Sequence, residues 1–181
     1  MPEIRLVSAA DFTAIAALTN HWIRTTAIHF GYDEVTADEL RQAWLDHRDL
    51  YPWLLAEVAG RFAGYAKAGV WRGRTAYSWT PESTVYVAPD QHRHGIGRRL
   101  YGRLLLVLKE QGFRSAIGGI ALPNDASVAL HEALGFTHVG TVHDAGYKFG
   151  RWHAVGFWQA RLGDGGGPLR TPASAFAATS P

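Results

Sequence analysis

Hydrophobic and polar positions along the chain fall into two rhythms. A period of two, or a continuous run of β-branched and small apolar residues, marks strands over Glu3–Val7, Trp53–Val58, Phe62–Val70, Glu82–Val87, Ser115–Leu122, Phe136–Val142 and Ala154–Arg161. A spacing of three and four marks helices. Phe12, Ile15, Leu18, Trp22 and Ile23 form one apolar stripe, opened by Ser8 and Asp11 as a capping pair. Thr36-Ala37-Asp38-Glu39 is a second capping box and predicts a helix through about His47. Ile96, Leu100, Leu104, Val107 and Leu108 form another stripe, stopped at Gln111-Gly112. Ala126–Leu134 is a shorter helix closed by Gly135.

A strand, two helices, an antiparallel meander and then strand-helix-strand-helix-strand-strand predict a mixed α/β fold: a central sheet with helices on both faces. Thr25–Asp33 and His143–Trp152 read as irregular connections. Gly163–Pro181 is rich in Gly, Pro, Ala and Ser, with almost no core-forming side chains. The expectation is therefore one domain over residues 1–162 and a tail over 163–181 outside the fold.

Composition narrows the class. Of 181 residues, 47% are hydrophobic and only 19% charged, which suits a folded globular chain. The formal charge is +2, and arginines concentrate near residues 92–103. So small an excess suits one multiply charged anionic ligand better than a nucleic-acid track. The absence of cysteine excludes disulfides, thiolate metal sites and a catalytic thiol. His21, His29, His47, His138, His143 and His153 show no paired spacing accompanied by carboxylates, so no metal site is expected. No apolar run reaches membrane-spanning length, which makes the cytoplasm the default location.

The candidate chemistry lies around the fourth strand. Alternation puts Ser83, Val85 and Val87 on one face and Glu82, Thr84 and Tyr86 on the other. After Pro89-Asp90, the run His92-Arg93-His94-Gly95-Ile96-Gly97-Arg98 leads into a helix. Orphan N–H groups of a first helical turn, the helix dipole and glycines that permit close approach together suit a phosphate. A dinucleotide fingerprint is excluded because Leu100 stands where a third glycine is needed. Taken alone, the same turn reads equally as an ordinary tight turn. Glu82 follows Pro81 in an aromatic setting and is a candidate general base for an amine nucleophile. Arg72 and Arg74, separated by Gly73, are candidates for pairing a carboxylate.

The order of elements and the His92–Gly97 turn resemble the GNAT acetyltransferase superfamily. Three longer runs narrow the resemblance: Ala76 to Val87, Leu122 to Phe136 and Gly146 to Trp152. These are similar to phosphinothricin N-acetyltransferases and their relatives that acetylate methionine sulfone and sulfoximine. The resemblance implies a GNAT (acyl-CoA N-acyltransferase) fold and acetyl-CoA as co-substrate. It implies binding by Val85, Tyr86 and Val87 of the strand, by His92 through Arg98, and by Asn124 and Ser127. It implies catalysis by Glu82 and His131, and an acceptor pocket drawing on Phe30, Arg72, Arg74, Thr84 and Tyr86. The acceptor is expected to be the α-amine of a small amino acid or analogue, and the assembly a homodimer. A protein N-terminus, a polyamine or a non-catalytic CoA-sensing role are the competing readings. His92, where Gln or Arg is usual, and Phe149 and Ala154 depart from the family pattern.

Overall fold

The computed structural model describes residues 1–164 and 167–179. Seven strands form one sheet in the order β1-β2-β3-β4-β5-β7-β6. They are β1 (Glu3–Leu6), β2 (Trp53–Val58), β3 (Arg61–Val70), β4 (Pro81–Val87), β5 (Ser115–Leu122), β6 (Thr137–Lys148) and β7 (Arg151–Arg161). Every neighbouring pair is antiparallel except β4 and β5, which run parallel and register at Glu82↔Ile117. The helices are α1 (Phe12–Thr25), α2 (Ala37–Leu45), α3 (Ile96–Gln111), α4 (Asp125–Ala133) and α5 (Pro172–Ala178).

Alternation along the strands divides the interior in two. Leu55 and Tyr65 turn toward α1 and α2, where Phe12, Ile15 and Trp44 meet Trp53. Leu54, Ala56, Ala66 and Ala68 turn the other way, onto the stripe of α3 formed by Leu100, Leu104, Val107 and Leu108. The small alanines let α3 lie close to the sheet, and Tyr101 and Phe113 fill the remaining space. The mixed α/β sandwich read from the sequence is the fold observed.

Two expectations need correction. Residues 143–152 are not an irregular connection but the ends of β6 and β7. They meet in a two-residue turn where Phe149 and Gly150 both take positive φ (51° and 76°). Most side chains of β6 are exposed, so hydrophobic alternation is absent and pairing with β7 alone makes it a strand. The tail does not lie outside the fold. Pro172–Ala178 is a helix capped by Thr171, and Ala175 is fully buried against the α3 core with Leu169 and Phe176 beside it. Its apolar positions are small and few, so the stripe is invisible to composition. Gln111 Nε2 fastens the approach, donating to Leu50 O and Arg170 O at 2.9 Å each. Residues 165, 166, 180 and 181 of the expected tail lie outside the described residues.

Candidate active site

β4 and β5 meet at Glu82↔Ile117 and then diverge. Beyond that point, among the described residues, the β5-facing backbone groups of β4 have no strand partner. The gap between the strands opens a cavity of about 510 Å³, floored by Ser83, Thr84, Val85, Tyr86 and Val87 and bounded by Gly119–Ala121, Asn124, Ser127 and His131. Its other end is the turn into α3. Arg93 and Gly95 there adopt left-handed conformations, with φ of 64° and 73°. Such alternation turns successive N–H groups toward one concavity, an anion nest. The first α3 amide with a helical acceptor is that of Arg99, which donates to Gly95 O at 3.2 Å. The amides of Ile96, Gly97 and Arg98 are therefore free of helical partners and carry the positive end of the dipole.

His92 is held inside this turn. Its ring stacks on Trp22 (5.7 Å between centroids, 3° between planes), and Nε2 donates to the Val87 carbonyl at 3.1 Å. It thus shapes the cradle more than it offers a donor to a ligand. Trp22 also lines the cavity, and its buried indole N–H has no partner among the described residues. A long cavity with an amide nest at one end and a strand gap at the other fits a diphosphate carrying an extended, amide-bearing arm.

Glu82 stands at the strand junction. Burial pushes its carboxyl above the usual carboxylate range, and the Lys67 ammonium partly opposes that shift. Gly119 lies close beside it: a Cβ there would stand 3.3 Å from Glu82 Oε1, a tight approach that the carboxylate would have to relieve by a small shift.

His131 is buried at the far wall. Its Nδ1 faces the Ser127 carbonyl at 2.7 Å, and because a carbonyl only accepts, the ring hydrogen sits on Nδ1. Nε2 faces the Tyr101 hydroxyl at 3.1 Å, Tyr101 meets Ser83 Oγ at 2.8 Å, and Ser83 donates to Ile117 O at 3.1 Å. A neutral imidazole leaves these four contacts one hydrogen short, because Tyr101 cannot donate to both neighbours. A proton on Nε2 completes the set. Burial holds the imidazole below its ordinary pKa while the Ser127 carbonyl pulls it back up. The group is thus neutral at rest and wired to take a proton. Gly118 makes room for it: a Cβ there would fall 2.5 Å from His131 Nε2.

The cavity gathers Thr84, Val85, Tyr86, Val87, His92, Arg93, Gly95, Ile96, Gly97, Arg98, Asn124, Ser127 and His131 from the residues singled out in the sequence. Asn124 caps α4 by accepting from the Ser127 N–H at 3.2 Å. His94 is exposed and is not part of the lining. Phe30 packs on Gly146 of β6 instead, in a loop further fixed by the Tyr32 hydroxyl donating to Tyr147 O. Arg72 and Arg74 are exposed on the loop before β4, with the Arg72 guanidinium over the Trp71 ring at 5.3 Å. Sequence reasoning passed over Lys67 and Tyr101. A lone charge between Ala66 and Ala68, and a hydroxyl one place past Leu100 on the α3 stripe, were the available signals. Among the described residues no three or more His, Asp or Glu side chains are grouped to hold a metal ion.

A sheet split at a parallel pair, with an amide nest feeding the gap, defines an acyl-CoA-binding fold. Residues 4–154 match the acetyltransferase (GNAT) domain family, and the chain belongs to it. The phosphinothricin N-acetyltransferase of Streptomyces viridochromogenes is 50% identical over 161 residues, covering 87% of this chain and 86% of its own. An L-methionine sulfoximine/L-methionine sulfone acetyltransferase of Salmonella typhimurium is 37% identical over 91% of this chain and 97% of its own. A Salmonella typhimurium structure, yncA with its cofactor acetyl-CoA, superposes with a TM-score of 0.88 at 34% identity, covering 93% of this chain and 98% of that one. The chain is an acetyl-CoA-dependent acetyltransferase.

Proposed function

We propose that this enzyme acetylates the α-amine of a small amino acid or analogue, of the phosphinothricin, methionine sulfoximine or methionine sulfone type, by direct attack. The observation that carries the reading is the position of Glu82, a half-buried carboxylate at the closed end of the gap whose open end is the phosphate nest. Acetyl-CoA supplies the activated thioester. Amides of Ile96, Gly97 and Arg98 hold its diphosphate, Asn124 and Ser127 border its arm, and free β4 amides over Val85–Val87 steady the carbonyl oxygen. Glu82 accepts a proton from the acceptor ammonium, directly or through water, and releases the amine lone pair. His131, neutral at rest, takes up on Nε2 the proton that the attacking nitrogen sheds as the tetrahedral adduct forms, and passes it to the departing sulfur. Arg72 and Arg74, exposed on the loop before β4, are the candidate partners for the acceptor's carboxylate.

The acceptors named for the relatives support this class. The enzyme works as a homodimer in the cytoplasm, and it binds neither nucleic acid nor membrane. No helix of the described residues is long and apolar enough to cross a membrane. The test is thiol release from acetyl-CoA with phosphinothricin, methionine sulfoximine, methionine sulfone and common amino acids. Glu82→Gln should lower kcat by about 10²- to 10⁴-fold while CoA affinity stays. Equal turnover in the variant would remove Glu82 from the mechanism, and no turnover with any acceptor would remove the reading.

A further inference from the structure

We propose that Lys67 is a specificity residue that pairs with an acid group of the acceptor. The inference rests on the function proposed above and names the chemistry its acceptor must carry. In the β3–β4 ladder Lys67 sits opposite Thr84, two residues before Gly69, which sits opposite Glu82. Its side chain therefore shares a face with Glu82, Thr84 and Tyr86, the α1 side of the sheet.

Two lysines are drawn into this side of the molecule, and they differ. Lys148 Nζ donates to three carbonyls, Ile23 O at 2.6 Å, Thr26 O at 3.0 Å and His29 O at 2.7 Å, which uses all its hydrogens. Lys67 Nζ lies over the Trp53 ring at 4.6 Å and, among the described residues, makes no hydrogen bond and no ion pair. The ring attracts the ammonium but accepts none of its three N–H groups in the way an oxygen would. Burial pushes the Lys67 pKa down, and Glu82 offsets that only in part. Lys67 and Lys148 together, with burial first, hold the His29 imidazole below its usual pKa. Apart from Glu82, which is reserved for the amine proton, the charges that bear on His29 at this face are the two ammoniums. An acid group seated there would satisfy the ammonium, and a polyamine would be repelled.

The acid group is either the α-carboxylate or a side-chain acid, and three acceptors separate these. Phosphinothricin has an α-carboxylate and a phosphinate, methionine sulfone has the α-carboxylate alone, and 3-(methylsulfonyl)propan-1-amine has neither. With the full chain, Lys67→Met should lower the ratio of kcat/KM for phosphinothricin to that for the acid-free amine by about 10- to 100-fold, the range of a charged hydrogen bond, and Lys67→Arg should restore part of it. If methionine sulfone falls alongside phosphinothricin, the α-carboxylate is the partner. If it does not, the phosphinate is. A ratio unchanged by Lys67→Met overturns the proposal. Calorimetric titration of phosphinothricin into the CoA-saturated protein reads the pairing without turnover: binding weakened in Lys67→Met supports it, whereas equal binding or none overturns it. Absence of turnover with all three acceptors counts against the proposed function alone.

Discussion

Glu82 and Lys67 share one electrostatic balance. Burial favours the protonated acid of Glu82, and the neighbouring ammonium favours the carboxylate. A base must be deprotonated to act, so kcat/KM should rise with pH through the Glu82 titration, at a value above the usual carboxylate, about 4.3. Removing the cation removes the attraction that favours the carboxylate, so Lys67→Met should move the acid limb to higher pH. A pH–rate profile of the two proteins checks this, and a limb displaced downward would contradict the assignment. His131 depends on space as much as on charge. The missing Cβ of Gly118 is what lets Nε2 meet Tyr101, and nothing lies within 4 Å of the same position at Gly73. Gly118→Ala should lower kcat by about 10²-fold or more, the usual weight of a displaced proton-transfer group. Gly73→Ala, as the comparison, should leave kcat near wild type, and KM for acetyl-CoA separates loss of chemistry from loss of binding.

Elements are set by caps and pairing as much as by periodicity. Asp11 accepts from the Ser8 amide at 2.7 Å and from both terminal nitrogens of Arg5, which also reaches Glu57 at 2.7 Å. One guanidinium, that of Arg5, thus ties β1, the start of α1 and β2 together. The Arg5 guanidinium beside it, with the Ser8 donors adding to the effect against burial, holds Asp11 down at about 2. Since the folded value lies below the unfolded one, the stabilisation is full above the unfolded carboxylate range and is lost as pH falls toward 2. Asp11→Asn should cost about 1–2 kcal/mol at pH 7, discounted for the exposed Arg5 end, and the difference in denaturant midpoint should close only as pH falls through about 2. Capping pairs such as Ser8/Asp11 and Thr36/Glu39 are written locally, and for that reason the starts of α1 and α2 are legible in the sequence. The hairpin ends of β6 and β7 are not, because their pairing is satisfied by each other's backbone and leaves no burial pattern. Nor is α5, whose one fully buried side chain is an alanine. Among site residues, the cradle from His92 to Arg98 is legible because glycines and strand-to-helix order announce it. The Tyr101–His131 contact joins residues 30 apart in sequence, and no local pattern encodes it.

At the scale of the whole molecule, the sheet ends in a problem that a second copy would resolve. β6 is a 12-residue edge strand with β7 as its one neighbour. Natural sheets seldom leave so long an edge open, since unpaired N–H and C=O groups and apolar side chains recruit other chains. Here Val139, Val142, Tyr147, Phe149 and Trp152 are each 48–61% exposed on the β6–β7 arm. Tyr147 and Trp152 face each other edge-on at 5.3 Å, presenting a rigid aromatic pair that costs little side-chain entropy to bury. The same arm carries Lys148, whose three carbonyl bonds fasten the end of α1 at Ile23 and the following loop at Thr26 and His29. Dimerisation through the arm would thus brace the loop beside the proposed acceptor site. The expected solution mass is twice the 19.9 kDa of one chain. Phe149→Asp with Trp152→Asp should give a monomer by light scattering and raise KM for the acceptor more than KM for acetyl-CoA, because the nest at Arg93–Arg98 lies outside the arm. A wild-type monomer at micromolar concentration, or a charged variant that still pairs, would place the contact elsewhere.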